Sequence, residues 1–265
     1  MPPPTAARQR LALATFFAVV FGATWLLQLP AILVQRRYLA SRWSSSDTSF
    51  QQSPHSSCRG ALSEAEGCAR SFARSARCVA PAWYFLAFAH ATVILIVGMS
   101  LARLVGGPGV GSPFYPPTAP VQIAAMLVVP FTEQIPWRGF AYPPLERRFG
   151  PFGASLVVGA AWALFHLQKQ SLLSPGLALD VALWTFLLMT AGTVVFTWFY
   201  RRTGSMLVVV IANAGVYLNN STQALPANAA PLAVHALGYC TVALALVLVD
   251  GAAWRASVPS AMDPT

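Results

Sequence analysis

The chain has 265 residues, of which 56% are hydrophobic and only 9% charged, with a mean hydropathy of +0.56. That composition excludes a soluble domain with a charge-rich surface and implies an integral membrane protein. The formal charge of +9 falls in clusters between apolar runs, not in a basic stripe interleaved with aromatics. It therefore reads as loop anchoring at a membrane face, and no nucleic acid is expected as a partner.

Residues 1–34 comprise a short Pro- and Arg-containing lead and a first span, Leu11–Val34. Its apolar stretch exceeds the 7–15 residues of a signal-peptide core, and no small-residue cleavage site precedes Arg36-Arg37, so a retained helix is expected. Residues 35–80 are rich in Ser, Arg and Gln and poor in large apolar side chains, which predicts a mobile polar loop. This loop carries Cys58, Cys68 and Cys78, while Cys240 lies in an apolar span. No CxxC or zinc spacing occurs, and an odd number of loop cysteines points to a reduced, cytoplasmic loop; their even spacing has no physical account.

Residues 81–255 are expected to form a transmembrane core. Its spans are read as Pro81–Val105, Val121–Tyr142, Phe152–Leu167, Gly176–Tyr200, Ser205–Leu218 and Pro231–Val249, with a Gly/Pro loop from Gly106 to Pro120 and a disordered tail at 256–265. The fold class expected is all-α, a polytopic transmembrane helical bundle of about seven spans. Some spans fall short of the ~20 residues that cross a hydrocarbon core, which implies tilt or a thinned bilayer.

If seven spans alternate, Arg36, Arg37, Arg42, Arg147, Arg148, Arg201, Arg202 and Arg255 share one side, opposed by Arg8, Arg10, Arg103 and Lys169. The loop 35–80 and the C-terminus are therefore expected to be cytoplasmic. The arginine pairs read as lipid-headgroup anchors, and Trp25, Trp83, Trp184, Trp198 and Trp254 as interfacial belts.

Polarity within the apolar core concentrates in Thr132-Glu-Gln-Ile-Pro-Trp-Arg-Gly139. An ionisable side chain at such depth costs about 2.5–3.5 kcal/mol on insertion scales and is by default a functional hypothesis. Gln134 and Arg138, four apart, share a helical face, with Glu133 about a quarter-turn away. Pro130 and Pro136 each remove a backbone donor, so a broken helix is expected, tolerated in a bilayer only beside protein or water. Two readings stay open here: Glu133 facing a cavity with Gln134 and Arg138 as braces, or a Glu133–Arg138 ion pair that locks packing. His166, at the end of an apolar span, reads equally as catalytic or as a satisfied core or interfacial histidine. For His90, His235, Asn219 and Asn220, packing or a hydrogen bond across helices is the expectation.

The run from Glu133 through Trp137-Arg138-Gly139 to Trp162-Ala-Leu-Phe-His166 resembles the CAAX-protease and bacteriocin-processing family (CPBP, ABI) of intramembrane endopeptidases, of the type II CAAX prenyl endopeptidase kind. Members typically carry Glu-Glu-x-x-x-Arg, Phe/Trp-x-x-x-His and His-x-x-x-Asn/Asp motifs on separate helices. Here the first is Glu133-Gln134…Arg138 and the second Trp162…His166; after Gly204-Ser205, Asn213 stands in the His position and Tyr217 in that of Asn/Asp. The resemblance implies that Glu133 and His166 activate water for attack on a peptide carbonyl. Asn213, helped by Tyr217, would then donate to the oxyanion, where one donor is worth about 2.7–4 kcal/mol. Gln134, Arg138 and Trp162 would support them.

The family has been described both as metal-dependent and as glutamate-dependent. No His-Glu-x-x-His occurs, and Glu133 with His166 makes a poor cage, so the ligand spacing does not support zinc and the cofactor stays open. The partners implied are the lipid bilayer and a membrane-associated peptide or protein, prenylated if the family name applies. The alternative is a catalytically degenerate member that binds a membrane peptide or protein. A transporter would call for paired broken helices in matching halves, which the sequence lacks.

Overall fold

The computed structural model describes residues 13–18, 79–106, 120–173, 179–217 and 230–255. Outside them lie most of the first span, the polar loop up to residue 78 with its three cysteines and the interior of the Gly/Pro loop. So do Trp25, Asn219, Asn220 and the tail 256–265. Every regular element among the described residues is helical, and the protein is an all-α membrane bundle.

In chain order the helices are α1 (Pro81–Leu104), α2 (Pro120–Gln134), a π-helical segment (Ile135–Ala141), α3 (Tyr142–Leu173), α4 (Leu179–Thr203), α5 (Met206–Val216), α6 (Ala230–Val249) and α7 (Gly251–Arg255). Residues 13–18 are also helical. Pro81 opens α1 at a position where a missing N–H costs nothing.

The stretch Met126–Leu167 runs for 42 residues and is mostly helical and apolar. Straight, it would extend about 63 Å, twice the ~30 Å hydrocarbon thickness. It is not straight. Gly150 takes φ 70° and ψ 172°, a backbone that residues with a Cβ avoid, and Pro151 lacks the donor to continue the ladder. The Trp137 and Phe165 rings lie 6.3 Å apart, whereas a straight helix would separate them by about 42 Å. The chain therefore reverses at Gly150–Pro151, and the stretch makes two crossings.

With Pro81–Leu104, Leu179–Thr203, Ala230–Val249 and the shorter Met206–Val216, these crossings form the bundle. Its outer face is apolar, with Phe85, Val97, Leu127, Leu164, Leu183 and Leu244 exposed, as lipid-facing helices require. Between helices the approach is close at small residues. A Cβ on Gly215 of α5 would sit 2.0 Å from the Phe88 carbonyl oxygen of α1, and one on Gly159 of α3 would sit 2.8 Å from Thr190 Cα of α4. Such contacts replace the hydrophobic drive that helices lack in lipid.

A polar clasp closes one end. Arg201 at the end of α4 is buried, donating to Glu146 and to the Ala253 carbonyl. Arg202 pairs with Asp250, which also accepts Trp198 Nε1–H at 2.7 Å. Although partial burial opposes ionisation, hydrogen bonds from Arg202, Trp198 and the Ala253 N–H hold the Asp250 carboxyl below the usual carboxylate range. The basic positions near 146–148, 201–202 and 255 thus gather at a single end of the bundle. Two side chains depart from the sequence reading. Arg201 is an internal cross-link, not a headgroup anchor, because Glu146 lies where it can neutralise it. Trp254 is buried on Phe152, its indole N–H donating to the Leu246 carbonyl, so it is a packing anchor and not part of a belt.

His90 does what was expected of it. Its Nδ1 lies 2.6 Å from the Ala87 carbonyl, which can only accept, so Nδ1 carries the proton and Nε2 accepts from the Tyr239 hydroxyl at 2.9 Å. This bond ties α1 to α6. His235 is buried one turn away against the Tyr239 ring.

Candidate active site

The site begins with a defect in the α2 ladder. Pro130 and Pro136 remove two donors, and after Pro136 the ladder loosens to π spacing, with the Tyr142 N–H reaching back five residues to the Trp137 carbonyl. The wider turn buries Trp137 and Arg138 together with Gln134, leaving Glu133 partly exposed at the junction. Phe16 and Phe17 pack on the outer side of this segment, their rings 5.8 Å and 6.1 Å from that of Trp137.

The reversal at Gly150 brings the fifth turn of the next crossing back beside Glu133. Glu133 Oε1 lies 3.7 Å from His166 Nε2, and its other oxygen, Oε2, accepts a 2.9 Å hydrogen bond from Asn213 Nδ2 on α5. Three helical elements thus meet at a single carboxylate. His166 Nδ1 lies 3.0 Å from the Trp162 carbonyl. Since a carbonyl only accepts, Nδ1–H is the donor, and in the neutral ring the lone pair of Nε2 is turned toward Glu133. The imidazole is also packed edge-on against the Trp162 and Phe165 rings, which fixes its plane.

Gln134 and Arg138 form the bridge their spacing implied, Arg138 Nη1 donating to Gln134 Oε1 at 2.5 Å in a fully buried setting. The guanidinium packs against two aromatic rings that touch each other, 5.6 Å from the Trp162 centroid and 5.1 Å from that of Phe196. No contact ion pair joins Glu133 to Arg138 among the described residues; the Glu133 oxygens face Asn213 and His166. Tyr217 caps α5, its backbone N–H on the Ala214 carbonyl, and its phenol is close enough to Glu133 to interact electrostatically.

Sequence reasoning did not find Phe196, the second ring on Arg138; one phenylalanine in an apolar helix carries no signal. The third motif placed Asn213 beside Glu133 and His166 as an oxyanion donor, but its bond to the Glu133 carboxylate, across 80 residues of chain, has no local signature. The donor set does not fit a catalytic zinc, which takes three protein ligands. Glu133 and His166 are two, the Asn213 amide is a weak ligand already donating to Glu133, and no group of three or more His, Cys, Asp or Glu gathers among the described residues.

No curated protein matches the chain. Residues 116–218, the stretch that holds the proline-broken helix, the reversal, Glu133, His166 and Asn213, match the model of a protease family described as Rce1-like, type II CAAX prenyl endopeptidase.

Proposed function

We propose that the protein is an intramembrane endopeptidase that hydrolyses a peptide bond in a membrane-associated peptide or protein, using water activated between Glu133 and His166. The observation that carries this reading is the Oε1···Nε2 pair at 3.7 Å, with the imidazole proton held on the far nitrogen by the Trp162 carbonyl. Two acceptor atoms face each other at a distance too long for a direct hydrogen bond and short enough to share one water. A water donating to both turns its oxygen lone pair outward, toward a substrate carbonyl. As the oxygen bonds to carbon, one proton passes to Glu133 or His166 and is returned to the amine nitrogen as the C–N bond breaks. The products are a carboxylic acid and an amine, with no co-reactant beyond water.

Asn213 positions the nucleophile's base by holding Oε2, and its amide carries a second N–H available to an oxyanion. Tyr217 offers a second donor near the same carboxylate. The family description supports a prenylated substrate end. The gathering of Arg201, Arg202 and Arg255 at one end supports a cytoplasmic C-terminus and polar loop.

The test is cleavage in liposomes containing the purified protein and a synthetic peptide ending in a farnesylated CAAX sequence, beside its unprenylated twin, read by mass spectrometry. The wild type is expected to shorten a peptide that Glu133→Gln and His166→Ala leave intact. The engagement of the Asn213 amide by Glu133 favours a second reading, a degenerate member that binds a membrane peptide or protein. Crosslinking of the peptide without shortening supports that reading.

A further inference from the structure

Arg138 is 1% exposed, and a guanidinium is the side chain that keeps its proton even when buried. Among the described residues the one group hydrogen-bonded to it is the Gln134 amide oxygen, which is neutral, and the touching rings of Trp162 and Phe196 pack against it. Glu133 acts on it through space only, both its oxygens being turned to other partners. Nε–H and Nη2–H of Arg138 meet no acceptor among the described residues, and neither do Gln134 Nε2 or Trp162 Nε1.

The chemistry of these atoms is one-sided. Every one of them is a donor. Because Nη1 is the nitrogen directed at Gln134, the two unmatched nitrogens of Arg138, Nε and Nη2, form the edge of the guanidinium whose N–H bonds run side by side. That edge is the fork that closes on a carboxylate or a single anion. Burying a cation without a countercharge is strongly unfavourable. A water molecule would add two further O–H donors to a neighbourhood that already lacks acceptors. An occupant that only accepts, and that bears one negative charge, answers both deficits.

We propose that the guanidinium edge of Arg138, between the π-helical segment and α3, is an internal binding site for a monovalent anion of halide size that serves as the structural counterion of the core. The site lies beside the Glu133–His166 pair but is independent of its chemistry. It joins the π-helical segment to Trp162, whose carbonyl sets the His166 tautomer.

The purified protein in detergent tests this through its unfolding midpoint, measured in sodium chloride against sodium gluconate at constant ionic strength. Chloride is expected to raise the wild-type midpoint saturably. Gln134→Glu places a carboxylate where the amide oxygen already touches Nη1, and its midpoint is expected to be independent of chloride. A wild-type midpoint equal in both salts overturns the proposal, as does an undiminished chloride effect in Gln134→Glu. Should that variant fail to fold, crystals of the wild type grown in bromide decide the matter. An anomalous peak within hydrogen-bond distance of Nε and Nη2 is expected, and its absence overturns the site. None of these readouts depends on proteolysis.

Discussion

Gly215→Ala puts the helix packing under the most direct strain. The added Cβ would lie 2.0 Å from the Phe88 carbonyl oxygen and 2.8 Å from its carbon, all backbone of α1 that no rotamer change can move. A relaxed C···O contact needs about 3.3 Å, so α5 and α1 must separate by roughly 1.3 Å at this crossing. Asn213 rides on α5 two residues earlier, so the same displacement moves it against Glu133, to which it donates at 2.9 Å. Overpacking of this kind costs about 1–3 kcal/mol. For a chain of this size each kcal/mol lowers the unfolding midpoint by about 2–4 °C, so a drop of about 2–12 °C is expected in detergent. Gly192→Ala is the control, because its Cβ would meet Tyr239 at an ordinary 3.7 Å. Equal midpoints for the two variants would refute the claim that α5 is held by backbone contact with α1.

The remaining predictions concern the clasp and the third motif. Arg201→Met strands the Glu146 carboxylate in a partly buried site and should lower stability by about 3–5 kcal/mol, most of it recovered in Arg201→Met/Glu146→Leu; equal instability of the two would show that the pair is not an isolated cross-link. The folded-state pKa of Asp250 lies below its unfolded value, so its contribution is fully present above the ordinary carboxylate pKa of about 3.9 and is lost as pH falls through the folded value. The midpoint difference between wild type and Asp250→Asn should accordingly be constant above about pH 5 and shrink below pH 4, and it should be modest because the pair is open to solvent; a difference that persists at pH 2 contradicts this. Asn213→His should raise cleavage of a membrane peptide, further so with Tyr217→Asn, and adding His166→Ala should cancel the gain. No gain in a folded protein would favour the binding reading.

Much of the fold was legible because lipid imposes a simple requirement. Long apolar runs must be helices, and the spans expected at Pro81–Val105 and Pro231–Val249 differ from α1 and α6 by a residue at an end. Pro136 announced the loosened ladder, and the four-residue spacing of Gln134 and Arg138 announced their bond. The chain reversal was legible as a gap between spans, although its pivot, Gly150, was not, because nothing local singles out which residue of the gap takes a positive φ. Tertiary partners were the part that stayed hidden. Arg201 reads as an anchor until Glu146 is found beside it, 55 residues away, and Gly215 reads as one small residue among many until Phe88 is found against it. Glu133, Gln134 and Arg138 were conspicuous by their polarity and Asn213 by its place in the third motif, whereas Phe196, which packs on Arg138, came from a helix whose sequence offered no reason to face this way.

The central claim is that Glu133 and His166 cut a peptide bond, and it is tested most directly where the natural substrate is present. Membranes from cells making the wild-type protein and from cells making Glu133→Gln at equal abundance are compared by terminus-selective proteomics. At least one membrane-associated protein is expected to be shorter in the first and full-length in the second, with His166→Ala matching Glu133→Gln. Identical termini in all three, with the variants folded and inserted, would contradict it.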